Sequence, residues 1–85
     1  MKQGKNISRL TCWDQLKKIG FTPVKFNFQG LQTSIGCCLP FKGSEILIQP
    51  MTRGEWCIAF YCGEIRLQKY ITARQIMHEV NEIMK

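Results

Sequence analysis

Eighty-five residues make a single domain, 1–85, near the lower limit at which one hydrophobic core holds a fold without metal or disulfides; 45% apolar and 11% aromatic content excludes a disordered chain. The net charge of +6 is lopsided, with seven cations (Lys2, Lys5, Arg9, Lys17, Lys18, Lys25, Lys42) against Asp14 alone in residues 1–44, and five cations against five glutamates in residues 45–85. That asymmetry points to an anionic partner, whether nucleic acid, a nucleoprotein or an acidic protein surface, and otherwise serves solubility.

The opening "MKQGKNISRL" is polar and basic, lacks the apolar run of a signal peptide, and reads as a flexible basic tail over residues 1–9. No apolar stretch reaches membrane-spanning length, so the expectation is a cytoplasmic protein with no membrane partner. In that compartment five cysteines are free thiols rather than a disulfide framework, and the Asn6-Ile7-Ser8 sequon is a chance match.

Thr11 with Asp14 three residues later predicts a helix start, and Gly20 its end. Cys12, Trp13, Leu16 and Ile19 fall on one side of that helix, with Lys17 and Lys18 turned outward. After Pro23, "VKFNFQ" alternates, with Val24, Phe26 and Phe28 assigned to the core and Lys25, Asn27 and Gln29 to the other face. Gly30 predicts a turn. "LQTSIGCCL" follows with Leu31, Thr33, Ile35, Cys37 and Leu39 in one phase, and Pro40 and Gly43 predict a loop before the strand "EILIQ". "PMTRG" at 50–54 is a second loop, and "EWCIAFYC" at 55–62, apolar in both phases, reads as a central strand. "IRLQKY" follows "GE". Thr72 and Gln75 form a capping-box pattern that opens a last helix, whose stripe is Ala73, Ile76, Met77, Val80, Ile83 and Met84.

The pattern is therefore α+β: helix, about five mostly antiparallel strands, helix, with both helices covering one face of the sheet in a two-layer sandwich and the other face open. Neither short amphipathic helix can be spared from the core to lie on a membrane.

Cys37, Cys38, Cys57 and Cys62 invite a zinc reading. Tetrahedral zinc needs four ligands converging at about 2.3 Å, usually from Cys-x2-Cys knuckles, and none is present. Strand alternation splits both pairs, sending Cys37 and Cys62 to the core and Cys38 and Cys57 to the open face. His78 falls on the solvated side of the last helix. The cysteines therefore read as small hydrophobes, with Cys38 the one partly exposed thiol, and no metal or cofactor is expected. One histidine, one aspartate and scattered glutamates offer no acid–base constellation, and "GCCLPFKG" lacks the spacing of a phosphate-binding loop, so the chain reads as noncatalytic.

The open face collects Lys25, Asn27, Gln29, Gln32, Ser34, Cys38, Leu47, Gln49, Cys57, Ala59, Tyr61, Arg66, Gln68 and Tyr70. Tyrosines for base stacking among amides and basic groups suit single-stranded nucleic acid, with Lys17, Lys18 and the tail on the backbone, although no named nucleic-acid motif is present. The first expectation is a small basic module that binds nucleic acid or a nucleoprotein through Lys17, Lys18, Lys25, Asn27, Tyr61, Arg66, Gln68 and Tyr70. The alternative is an inhibitor or adaptor of the size common among phage and plasmid products, including inhibitors of CRISPR nucleoproteins. It would dock on a host protein by an acidic surface or by strand addition, with Arg53 at the tip of "QPMTRGEW" as a contact and Trp56 in the core. An unpaired edge strand also leaves self-association as a homodimer open.

Overall fold

The computed structural model describes residues 7–28 and 32–85. Within them a 3-10 turn, Ile7–Arg9, leads into helix α1, Trp13–Ile19. Five strands follow: β1 (Thr22–Phe28), β2 (Gln32–Phe41), β3 (Ser44–Pro50), β4 (Glu55–Cys62) and β5 (Ile65–Thr72). Helix α2, Ala73–Met84, follows β5. Every strand is antiparallel to its neighbour, and the sheet order is the chain order, β1-β2-β3-β4-β5. The fold is α+β, as the alternating and 3.6-residue patterns predict.

The tight reversals follow from local chemistry. Lys42 and Gly43, with φ of 51° and 78°, join Phe41 to its cross-strand partner Ser44. Two left-handed residues in a two-residue connection make the turn whose twist suits a hairpin. Between the paired residues Cys62 and Ile65 the connection is Gly63-Glu64, with glycine supplying the positive φ. The loop expected at Pro40 is shorter than the sequence implies, because Pro40 stays in β2 opposite Glu45. Pairing to β1 stops at Thr22↔Cys38, so the missing proline N–H costs no ladder bond there.

One buried cluster draws Leu16 from α1, Ile76 and Val80 from α2, and Cys37, Ile46, Ile48, Trp56, Ile58, Phe60 and Ile71 from the sheet. The strand members share one alternation phase, since Cys37 pairs with Ile48, Ile48 with Ile58, and Trp56 with Ile71. Helix α2 packs against β4 and β5, and the 3-10 turn packs against α1 and β2. Trp56 is buried, as expected of a core anchor.

The N-terminal expectations need correction. Residues 7–9, read as part of a tail, form the 3-10 turn with Ile7 buried, and Leu10 and Phe21 join the core from outside regular elements. Lys2 and Lys5 lie outside the described residues, as do Gln29, Gly30 and Leu31 of the expected first turn. Helix α1 begins at Trp13 with Cys12 as cap, not at Thr11. The Trp13 N–H donates to the Leu10 carbonyl (3.1 Å), a main-chain turn that does the capping without the threonine. At α2 the expected start holds, with the Thr72 N–H donating to Gln75 Oε1 at 3.0 Å.

Candidate functional site

Register decides which side chains share a face, because directly opposed residues in an antiparallel pair point the same way. Cys38↔Leu47, Leu47↔Ala59 and Ala59↔Gln68 fix one row of the outer face. Glu45↔Tyr61↔Arg66 and Gln49↔Cys57↔Tyr70 are the rows on either side of it. The sequence assignment of Tyr61, Arg66, Gln68 and Tyr70 to one face is therefore met.

The assignment of β1 is reversed. Thr22 pairs with Cys38, Val24 with Gly36, and Phe26 with Ser34, so Val24 and Phe26 belong to the outer face. Lys25 and Asn27 pair with Ile35 and Thr33, in the phase of buried Cys37, and both are exposed there. Gly36 explains the inversion. A Cβ at that position would sit 2.7 Å from Phe26 Cε2 and 2.1 Å from the Ile48 carbonyl oxygen, so only glycine lets the β2 and β3 backbones and the Phe26 ring converge. Pairing of β2 to β3 begins at Cys37↔Ile48, so residues 32–36 pair only with β1, and the hairpin runs on as a two-stranded ribbon. In a ribbon that extends past its third strand, apolar alternation no longer marks the core side.

On the outer face β4 supplies small residues and its neighbours supply long ones. Cys57 and Ala59 are each only 8% exposed although they point away from the core cluster, because Leu47, Gln49, Gln68 and Tyr70 stand beside them. Above that floor Tyr61 is 38% and Tyr70 55% exposed. The Arg66 guanidinium lies over the Tyr61 ring, 5.7 Å from its centroid, a cation–π contact across β4 and β5. The Gln68 amide donates to Tyr70 Oη (3.4 Å) and to Cys57 Sγ (3.8 Å), which fixes the amide between them. Among the described residues, Arg66 is the cation of this face, and Glu45 and Glu55 are carboxylates at its ends. The expected basic, acid-poor face is thus corrected to a near-neutral one.

The basic residues gather elsewhere. Arg9, Lys17 and Lys18 are exposed on the 3-10 turn and in the last turn of α1, where lysine also complements the helix dipole. A Cβ on Gly20, the cap of α1, would lie 3.2 Å from Leu39 Cδ1, so this end of the helix meets the Cys37 phase, the side on which Lys25 projects. Since β1 and β5 are opposite edges of five strands, this basic end lies about 19 Å from the β5 stripe. Arg53 belongs to neither group. It is exposed at the tip of the β3–β4 connection with φ of 58°.

The described cysteines follow alternation. Cys37 faces the core cluster and Cys38 the outer face, where Thr22 Oγ1 is 4.0 Å from its sulfur. Burial pushes the Cys37 thiol up to about 12, with the neighbouring Cys12 and Cys38 adding to the effect, and burial also raises Cys12 and Cys57. For Cys57 the Gln68 contact opposes that rise and Glu55 adds to it. Neutral thiols neither attack nor ligate well. Among the described residues no group of three or more His, Cys, Asp and Glu is placed to hold a metal ion. The Cys62 side chain is outside what is described.

Sequence reasoning missed Val24 and Phe26 as surface residues, for which Gly36, a glycine inside a strand, was the available signal, and Glu45 and Glu55 as the rim, which alternation from Leu47 and Cys57 signals. It also missed the ion pair of Lys69 Nζ with Glu79 Oε1 (3.0 Å), which ties β5 to α2. Among the described residues no helix is long and apolar enough to cross a membrane. No family model, curated protein or solved structure matches the chain.

Proposed function

We propose that this chain is a noncatalytic cytoplasmic binding module whose helices both cover the Trp56–Ile58–Phe60 phase in a two-layer sandwich, and whose other sheet face docks a protein. The observation that carries the reading is the composition of that face. Exposed Tyr61 and Tyr70, an Arg66 in cation–π contact with Tyr61, the Gln68 amide bonded to Tyr70 and Cys57, and half-buried Val24, Phe26 and Leu47 form a near-neutral surface with carboxylates at its ends. Tyrosine and arginine around an uncharged centre are what protein interfaces enrich, whereas a nucleic-acid platform needs cations beside its rings. Protonated, buried thiols favour a noncatalytic role.

The partner's surface facing Tyr61 and Tyr70 is expected to be largely uncharged and rich in hydrogen-bonding groups. Capture from cytosol with nuclease added tests the reading: a protein held by the wild-type chain should survive nuclease and be lost with Tyr61→Ala/Tyr70→Ala. Capture that disappears on nuclease treatment, or that ignores both tyrosines, overturns it.

A second reading rests on a separate observation, the four exposed cations Arg9, Lys17, Lys18 and Lys25 on the 3-10 turn, α1 and β1, with Asp14 as the acid among those elements. That end suits a polyanion, nucleic acid or an acidic segment of a nucleoprotein, bound by charge and without sequence preference. Oligonucleotide affinity falling steeply with salt supports it; affinity that is absent, or indifferent to salt, removes it.

A further inference from the structure

The two edges of the sheet differ. β1 carries Pro23, which has no N–H to offer another strand, whereas β5 has no proline and pairs with β4 without a bulge from Glu55↔Thr72 to Cys62↔Ile65; both edges carry exposed cations, Lys25 on β1 and Arg66 and Lys69 on β5. The two-residue Gly63-Glu64 connection makes Cys62 and Ile65 a hydrogen-bonded pair. Alternation then turns the main-chain N–H and C=O groups of Leu67, Lys69 and Ile71 toward β4 and those of Arg66, Gln68 and Tyr70 toward the open edge.

We propose that the chain forms a homodimer by antiparallel pairing of β5 with β5 of a second copy, with Gln68 opposite the partner's Gln68. The pairing runs through the main chain of β5 and shares Arg66, Gln68 and Tyr70 with the sheet face, and its readout is mass rather than protein capture. In this register Arg66 meets the partner's Tyr70, so each guanidinium lies between its own Tyr61 and a tyrosine of the other copy, and the two glutamines meet on the two-fold axis. Each of these pairs exchanges both of its main-chain hydrogen bonds. On the other face Lys69 lies opposite the partner's Leu67, with its charge held by Glu79. Charge and overlap together select the register, since axes at Leu67 or Tyr70 pair fewer residues of β5 than one at Gln68. A two-fold axis at Lys69 would oppose two lysines, one at Arg66 would oppose two arginines, and both are unfavourable across a sheet. An axis at Leu67 shortens the overlap and leaves Tyr70 facing the partner's turn residue Glu64. Helix α2 packs on both β4 and β5, so β5–β5 pairing in any register brings the helices of two copies about 10 Å apart, a normal packing distance.

The test is sedimentation equilibrium of the full chain up to several hundred micromolar. The wild type should show twice the 9.9 kDa monomer mass at the upper concentrations. Gln68→Pro removes an edge N–H that the monomer does not use, and should abolish the dimer. Gln68→Lys places like charges at the axis and should weaken association severalfold without touching the fold; it decides the matter if the proline variant loses its circular dichroism signature. Lys25→Glu, on the opposite edge, should leave the mass unchanged. A wild type that stays monomeric throughout, or a dimer that survives Gln68→Lys unchanged, overturns the proposal.

Discussion

The outer face of β4 and β5 and the α1–β1 end are built from the same short chain by different means. The first is nearly neutral and rigid, its long side chains leaning on one another over a floor of Cys57 and Ala59. The second is a set of three lysines and one arginine, exposed on short elements. Rigid aromatic and amide groups lose little entropy on binding and discriminate by shape, whereas solvated lysines add long-range attraction and little selectivity. Among the described residues the α1–β1 end holds four cations, Arg9, Lys17, Lys18 and Lys25, against Asp14, a surplus of 4 − 1 = +3, so the net charge of +6 is unevenly spread over the surface.

The largest expected effects separate the two regions directly. Lys17→Glu/Lys18→Glu/Lys25→Glu should abolish oligonucleotide binding in a fluorescence anisotropy titration and leave protein capture through the sheet face within about twofold, as expected of charges outside an interface core. Tyr61→Ala/Tyr70→Ala should do the reverse, with each tyrosine costing about 2 kcal/mol of protein affinity by calorimetry. Equal loss of both activities in either variant would collapse the two surfaces into one.

Next in size is Gly36→Ala, which sets a Cβ against the Ile48 carbonyl and the Phe26 ring. Backbone must shift, so a loss of about 3 kcal/mol in chemical denaturation is expected. Since Phe26 is displaced as well, protein capture should weaken more than oligonucleotide binding.

How far the sequence revealed these regions depends on what each residue's position relies upon. Periodicity found both helices, five strands, the Trp56 anchor and the split of Cys37 from Cys38, because these depend on local spacing. The Tyr61–Arg66–Gln68–Tyr70 group was legible for the same reason: β4 and β5 sit in a two-residue hairpin whose phases follow from buried Ile58. The orientation of β1 was not. Val24 and Phe26 look like core residues until the register sets them opposite Gly36 and Ser34, in the phase of Cys38, on a ribbon that pairs on past the last β2–β3 pair, and that depends on tertiary register rather than alternation. The move of Lys25 away from the tyrosines follows from the same cause, whereas Glu45 and Glu55 reach their face by plain alternation from Leu47 and Cys57.

A smaller effect concerns thiols. Cys38, half-buried on the outer face, should react first with a soluble disulfide reagent at pH 8, ahead of buried Cys12, Cys37 and Cys57. A protein bound to the sheet face should slow that reaction, while an oligonucleotide at the basic end should not. The raised Cys37 thiol adds a pH dependence: its contribution to stability is complete below pH 9 and is lost as pH rises toward about 12. Cys37→Ala should flatten that alkaline decline in thermal melts while lowering stability at neutral pH. The smallest effect is expected at Arg53→Gly, which relieves a left-handed backbone on an exposed loop and should shift stability by less than about 1 kcal/mol.

The division of the surface is tested most directly by mapping backbone amide shifts of the labelled chain in complex with its nuclease-treated protein partner. The account predicts perturbations at Tyr61, Arg66, Gln68 and Tyr70 with Arg9, Lys17 and Lys18 unmoved. Perturbations concentrated at Arg9, Lys17, Lys18 and Lys25, with the β4–β5 face silent, would contradict it.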